Sequence, residues 1–160
     1  MSVPRYHLAQ VNVARALAPI HAAQMADFVA NLDRINALAE AAPGFVWRLK
    51  DESGNATDIA VNDDPRLIIN LSVWESREAL FDFVYRSGHT KIMARRKEWF
   101  EPYGRAYMAL WWCPAGVPPA VEEAMRRLAL LDAQGPGPDA FTFKQPFPQP
   151  AGGGQSDAAD

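Results

Sequence analysis

Leu71-Ser-Val-Trp-Glu-Ser-Arg-Glu-Ala-Leu80 decides the fold. It completes the run Arg66-Leu-Ile-Ile-Asn-Leu-Ser-Val-Trp74, where Leu67, Ile69, Leu71 and Val73 form an unbroken apolar face. Ile68, Asn70, Ser72 and Trp74 form a mixed face. Side chains alternate across a strand, so a period of two predicts a strand with two unlike faces. Ser76 suits a helix N-cap, because its hydroxyl can accept from a free amide of the first turn, and Glu78 suits the positive helix end. Ala79, Leu80, Phe83 and Val84 point inward from the helix that follows. Ser87-Gly88 breaks it, and a second helix then places His89, Ile92, Met93, Arg96, Trp99 and Phe100 near one stripe.

Upstream, residues 6–13 alternate as a strand, with Tyr6, Leu8, Gln10 and Asn12 on one face and His7, Ala9, Val11 and Val13 on the other. The second face is the more apolar and is assigned to the core. A helix over about 22–41 follows from the spacing of Met25, Phe28, Val29, Leu32, Ile35, Leu38 and Ala39. Pro43-Gly44 stops it. Phe45 to Lys50 is a second strand, with Phe45, Trp47 and Leu49 opposite Val46, Arg48 and Lys50. Residues 51–65 hold turn formers and read as a long loop or ragged hairpin, Ile59 to Val61 being its extended part.

Downstream, Arg105 to Cys113 is a fourth strand, with Ala106, Met108, Leu110 and Trp112 opposite Tyr107, Ala109 and Trp111. A linker over 114–119 leads to an amphipathic helix marked by Val121, Ala124, Met125, Leu128 and Leu131. Phe141, Phe143 and Phe147 lie in a proline-rich extended tail that packs onto the body. Residues 150–160 are Gly, Ala, Ser and Asp and are expected to be disordered. The order strand, helix, strand, strand, helix, strand predicts an α+β fold of ferredoxin-like βαββαβ type. One domain spans 1–149, with its core at 5–113 and the C-terminal helix and tail at 114–149. Both core helices cover one sheet face. The other face, with Tyr6, Gln10, Asn12, Arg48, Asn70, Ser72, Trp74, Tyr107 and Trp111, is left for a partner, most simply a second copy packed sheet to sheet.

Composition narrows the function classes. The 160 residues are 49% hydrophobic and 22% charged, with net charge -3, which gives no basic footprint for nucleic acid. No apolar run is long enough to span a bilayer, and Met1 to Arg5 lack signal-peptide features. The single cysteine, Cys113, allows no internal disulfide and fits a reducing cytoplasm. His7, His21 and His89 show no metal spacing. No phosphate-cradling glycine loop or Gly-x-Ser-x-Gly turn is present.

Pro43-Gly-Phe45 and Ser72-Val-Trp-Glu-Ser-Arg-Glu-Ala-Leu80 resemble the dimeric α+β-barrel superfamily, which includes antibiotic-biosynthesis monooxygenases. The Tyr85-Arg-Ser-Gly-His89 run and the tail extension resemble more closely a bacterial domain-of-unknown-function family inside it. The resemblance implies a homodimer with a small-molecule pocket between the sheet and the second helix of each protomer. Members include cofactor-free oxygenases of phenolic substrates, haem-degrading oxygenases and lactone isomerases. Of the three positions that mark haem degraders, Asn12 matches the first-strand asparagine. Phe83 stands at the tryptophan position and Met93 near the histidine position, with His89 about one turn early.

The candidate catalytic residues are therefore His89, Arg96 and Asn12. His89 is a general base or a structural cap. Arg96, preferred to Arg95 by helical phase, stabilises a phenolate or enolate, and Asn12 adds an amide donor. Tyr6, Arg48, Asn70, Trp74, Tyr107 and Trp111 are candidates for substrate binding; each has an alternative as a rim, core or interface residue. Amides on a covered sheet face need hydrogen-bond partners, which a dimer supplies as well as a ligand does. Three functions are open: a cofactor-free enzyme on a phenolic or enolisable substrate, a haem protein with His89 as ligand, and a non-catalytic dimeric binding module.

Overall fold

The computed structural model describes residues 6–50, 66–86 and 94–150. Strands β1 (Tyr6–Arg15), β2 (Phe45–Arg48), β3 (Leu67–Trp74) and β4 (Met108–Pro114) make one antiparallel sheet in the order β2-β3-β1-β4. Helices α1 (Ala26–Ala41), α2 (Arg77–Arg86) and α3 (Val121–Gln134) complete an α+β architecture. None of them is long and apolar enough to cross a membrane. The expected loop at 51–65, the tail from 151 and the segment 87–93, with His89, lie outside the described residues.

The central pairing of β1 with β3 fixes both sheet faces. Leu8 pairs with Trp74, Gln10 with Ser72 and Asn12 with Asn70. Residues opposite one another point to the same side, so this side is the mixed one. Ala9, Val11 and Val13 share the other side with Val73, Leu71 and Ile69.

Each face is covered, and the assignment of helices to faces differs from the expectation. Ile35 and Ala39 of α1, with Leu80 and Phe83 of α2, pack on Leu8, Trp74 and Leu110 of the mixed face. The wholly apolar face takes α3 instead, through Ala124, Leu128 and Leu131. Alternation alone leaves the mixed face for a partner. Among the described residues, α1 and α2 thus occupy the mixed face and α3 packs on the opposite one. The reason lies in the apolar residues at one end of the mixed face, which are enough to seat two helices while its polar centre stays beneath the gap between them.

Two further differences have local causes. Past the undescribed segment, residues 94–100 form turns and a single 3-10 turn, Arg96–Glu98, rather than a longer helix. The backbone there pairs with the end of β1 instead: Leu17 N–H donates to the Trp99 carbonyl at 2.7 Å and Glu101 N–H to that of Arg15 at 3.1 Å. Trp99 is thereby buried beside Ala16 and Met25. In β2, the register against β3 shifts between Phe45 and Trp47. Phe45 pairs with Trp74 and Arg48 with Ser72, while Trp47 pairs with Val73. The irregularity lets Phe45 and Arg48 share the mixed face, which strict alternation forbids.

The tail packs as expected and also serves the sheet. Phe141 exchanges two backbone hydrogen bonds of 2.8 Å with Leu110 on the outer edge of β4, and Trp112 Nε1 donates to the Phe147 carbonyl at 2.8 Å. The two stretches that carry the superfamily resemblance meet in space. The Gly44 carbonyl accepts from Glu75 N–H at 2.7 Å, and the Phe45 ring stands edge-on to Trp74 at 5.4 Å. The Ser76 hydroxyl accepts from Ala79 N–H at 3.1 Å, capping α2 as expected. Gly44 has φ +85°, and a Cβ there would lie 2.5 Å from that of Ala79. Strain and overlap act together, so Gly44→Ala is expected to cost about 2–4 kcal/mol. Urea unfolding of the variant checks this; a loss under about 1 kcal/mol would contradict the packing.

Cys113 lies beneath α3, 3% exposed. Burial, and then the charge of Glu123, push its thiol up to about 11. The unfolded thiol ionises first, so this group weakens folding as pH rises through about 9 to 11 and contributes nothing below that window. At pH 8 the folded protein should react with a thiol reagent only as fast as it opens, with full reaction in denaturant.

Candidate functional site

The gap between the sheet, α1 and α2 is a cavity of about 250 Å³. Its sheet wall is the polar centre of the mixed face, from Gln10 and Asn12 to Asn70. Leu32 and Ile35 of α1 and Leu80 and Val84 of α2 line its helical walls, and Phe28, Trp99 and Phe100 give it an aromatic end. The elements place these groups by simple rules. Period-two alternation turns the amides inward from two neighbouring strands, and α1 meets them with an apolar stripe.

The sheet wall holds one connected chain of hydrogen bonds. Trp74 Nε1 donates to Ser72 Oγ at 2.9 Å, and Gln10 Nε2 donates to the same oxygen at 2.8 Å. Gln10 Nε2 also donates to Asn70 Oδ1, and Asn12 Nδ2 donates to Gln10 Oε1 at 3.2 Å. Gln10 and Ser72 are each only 6% exposed. Burying such groups unpaired costs several kcal/mol, so the network is a condition for placing them there. The outer ends of the chain, Asn12 and Asn70, both reach the cavity.

The formal charge of the described lining is positive. Arg48 and Arg96 line the cavity, and no Asp or Glu is among the described lining residues. Arg48 is partly neutralised: its Nε donates to Glu40 Oε2 at 3.0 Å, with the arginine side chain 11% exposed. Arg96 sits with its guanidinium 5.1 Å over the Tyr107 ring and pairs with no carboxylate among the described residues. Arg95 is different. It bridges Glu98 at 2.9 Å and Asp27 at 3.0 Å, and stacks on Trp99 at 4.6 Å. The Glu98 and then Asp27 hydrogen bonds raise its pKa, and the bond from Arg95 holds the Glu98 carboxyl below its usual range. Arg95 ties α1 to the 96–98 turn; Arg96 faces the cavity.

A family described as "Domain of unknown function (DUF3291)" matches residues 7–156. The chain belongs to that family. No curated protein matches it. Among solved structures it is similar to PA3566 from Pseudomonas aeruginosa, at 13% identity and TM-score 0.47, covering 72% of this chain and 100% of that one. It is also similar to NE2512, a protein of unknown function from Nitrosomonas europaea, at 15% identity and TM-score 0.44, covering 72% and 95%.

In this DUF3291 chain, the cavity brings together Asn12, Arg48, Asn70, Arg96 and Tyr107. Three other candidates stand elsewhere. Trp74 is fully buried under α2, stacked at 5.2 Å on Phe83. Trp111 is on the opposite face beneath α3, since it pairs with Ala9, and Arg127 lies 5.8 Å over its ring. Tyr6 opens β1 opposite Pro114 and is not part of the cavity lining. Tyr107 precedes β4, which is how it escapes the parity that sends Trp111 away. Among the described residues, no three of His, Cys, Asp and Glu gather as metal ligands.

Gln10 and Ser72 are the residues whose importance strand reading understates. Their signal is polarity at the centre of two otherwise apolar strands. Asn31 and Asn36 also line the cavity; they flank Leu32 and Ile35 on α1, a spacing that marks a stripe boundary. Ser72→Ala removes the oxygen that two buried donors share. A loss of about 1–3 kcal/mol in urea unfolding is expected, with a changed near-ultraviolet signal from Trp74.

Proposed function

We propose that this protein is a small-molecule enzyme that takes a phenolic or enolisable substrate into the cavity and holds it as the anion. The observation that carries this reading is Arg96: a cation without a carboxylate partner among the described residues, at the wall of an apolar cavity whose described lining holds no acid. A fixed cation in a poorly hydrated site stabilises developing negative charge strongly. The strand order β2-β3-β1-β4, with α1 and α2 on one face, supports a ferredoxin-like reading of the sheet. It supports kinship with the dimeric α+β-barrel superfamily, and so with its cofactor-free monooxygenases.

In the proposed reaction His89 takes an acidic C–H proton, and Arg96 with the asparagine amides holds the resulting anion. The anion is electron-rich enough to reduce dioxygen. One oxygen atom ends in a new carbonyl and the other in water, so that a substrate methylene and one dioxygen give a ketone and one water, the methylene supplying both hydrogens and all the electrons. Tyr107 supports Arg96 by holding its guanidinium over the ring. A cavity of about 250 Å³ suits one or two rings, which favours this reading over the haem alternative.

Oxygen uptake with a panel of phenols, hydroquinones and enolisable ketones tests the proposal. Turnover should vanish in His89→Ala. In Arg96→Ala, substrate affinity or kcat/KM should fall about 10- to 100-fold, as loss of a hydrogen bond from a charged group implies. Binding without oxygen uptake would replace the enzyme with a binding module, and full activity in His89→Ala would remove His89 as the base.

A further inference from the structure

We propose that the cavity recognises a carboxamide or lactam on its phenolic ligand, through Asn12 and Asn70 acting as an unlike pair. This rests on the reading of the cavity as a small-molecule site. The two asparagines are directly opposite on β1 and β3 and both line the cavity. Both also bond to the same buried amide, Gln10, but at its opposite ends. Asn12 gives an N–H to Gln10 Oε1, which leaves Asn12 Oδ1 as the outward end. Asn70 takes an N–H from Gln10 Nε2, which leaves Asn70 Nδ2 as the outward end.

One amide has one oxygen and one nitrogen. Two asparagines bonded to its two ends must therefore be oriented in opposite senses. Reversing every bond, with the Ser72 hydroxyl donating to Gln10, exchanges which asparagine offers oxygen and which offers nitrogen. It does not make them alike. Trp74 Nε1 is a donor in either case, and Ser72 Oγ can receive it in either case. The wall thus presents one acceptor and one donor side by side, about 5 Å apart at the Cβ atoms as expected of a cross-strand pair. A carboxamide or lactam offers the complement, an N–H and a C=O held in one plane. A carboxylate offers two acceptors and meets one of them with an oxygen. Arg96 remains for the ionised hydroxyl of the same ligand.

The experiment is calorimetric titration of the full chain with hydroxybenzamides, the matching hydroxybenzoates, the matching hydroxybenzamidines and the parent phenol. For at least one ring isomer, the amide should bind ten times or more tighter than the phenol and the benzoate. Two substitutions should turn the wall into a pair of acceptors. In Gln10→Glu both asparagines must donate inward. In Asn12→Asp the residue must accept from Gln10 Nε2, which forces Asn70 to donate to Gln10 Oε1. Either variant should lose the tenfold amide preference and bind the amidine more tightly than the amide; Asn12→Asp keeps the test open if the buried carboxylate of Gln10→Glu prevents folding. Phenol binding with no amide preference overturns the inference and leaves the proposed function standing. An amide preference unchanged in both variants overturns it as well. Absence of binding by every compound overturns the inference, and overturns the proposed function as well when the oxygen-uptake panel, enolisable ketones included, also shows neither binding nor turnover.

Discussion

Trp74 Nε1 can only donate, and it sits in a layer that excludes water. Ser72 Oγ receives it, and that one bond commits the polar centre of the sheet. Ser72 is placed by its register against Gln10, and Gln10 joins the chain because its own amide would otherwise be buried unpaired. The network then extends to the two asparagines, where it meets the cavity. Around it, apolar contacts do the remaining work: Leu8, Leu110 and Trp74 carry α1 and α2, and the opposite face carries α3. The helices do not close over the polar centre, and the space they leave is the candidate site. Fold and site are therefore set by the same pairing of β1 with β3.

Much of this is legible in the residues. Period-two runs mark the strands, Ser76 marks the start of α2, and Pro43-Gly44 marks the end of α1, each through a local steric or hydrogen-bonding preference. The relation between strands is not local. Alternation shows that Trp111 and Trp112 point to opposite sides, but only the register of β4 on β1 shows which of them joins Asn12. The irregular register in β2 is similarly hidden, because it depends on what β3 offers as a partner. Choosing which helix covers which face also exceeds local information when three amphipathic helices compete for two faces.

The candidate site divides in the same way. Asn12 and Asn70 can be found from sequence because an amide inside an apolar strand demands a reason. Arg96 and Arg95 do take different roles, one facing the cavity and one binding Asp27 and Glu98, but the turns at 94–100 set them apart, not the phase of a continuous helix. Aromatic residues are less informative. Trp74 and Trp111 have the size and polarity of ligand-stacking groups, yet each is consumed by packing, because a large ring buried in a core contributes more area than most residues can.

The contact between Phe141 and Leu110 has a further consequence for how copies of this chain behave in crowded solution. An antiparallel sheet exposes unpaired amides and carbonyls at its two outer strands, and such edges recruit other chains. Here the β4 edge is partly occupied by the chain's own tail. The β2 edge is only four residues long and has an irregular register. Among the described residues, neither margin offers a long, flat template for strand-by-strand growth. The tail thus covers part of an otherwise open strand edge while it anchors Trp112.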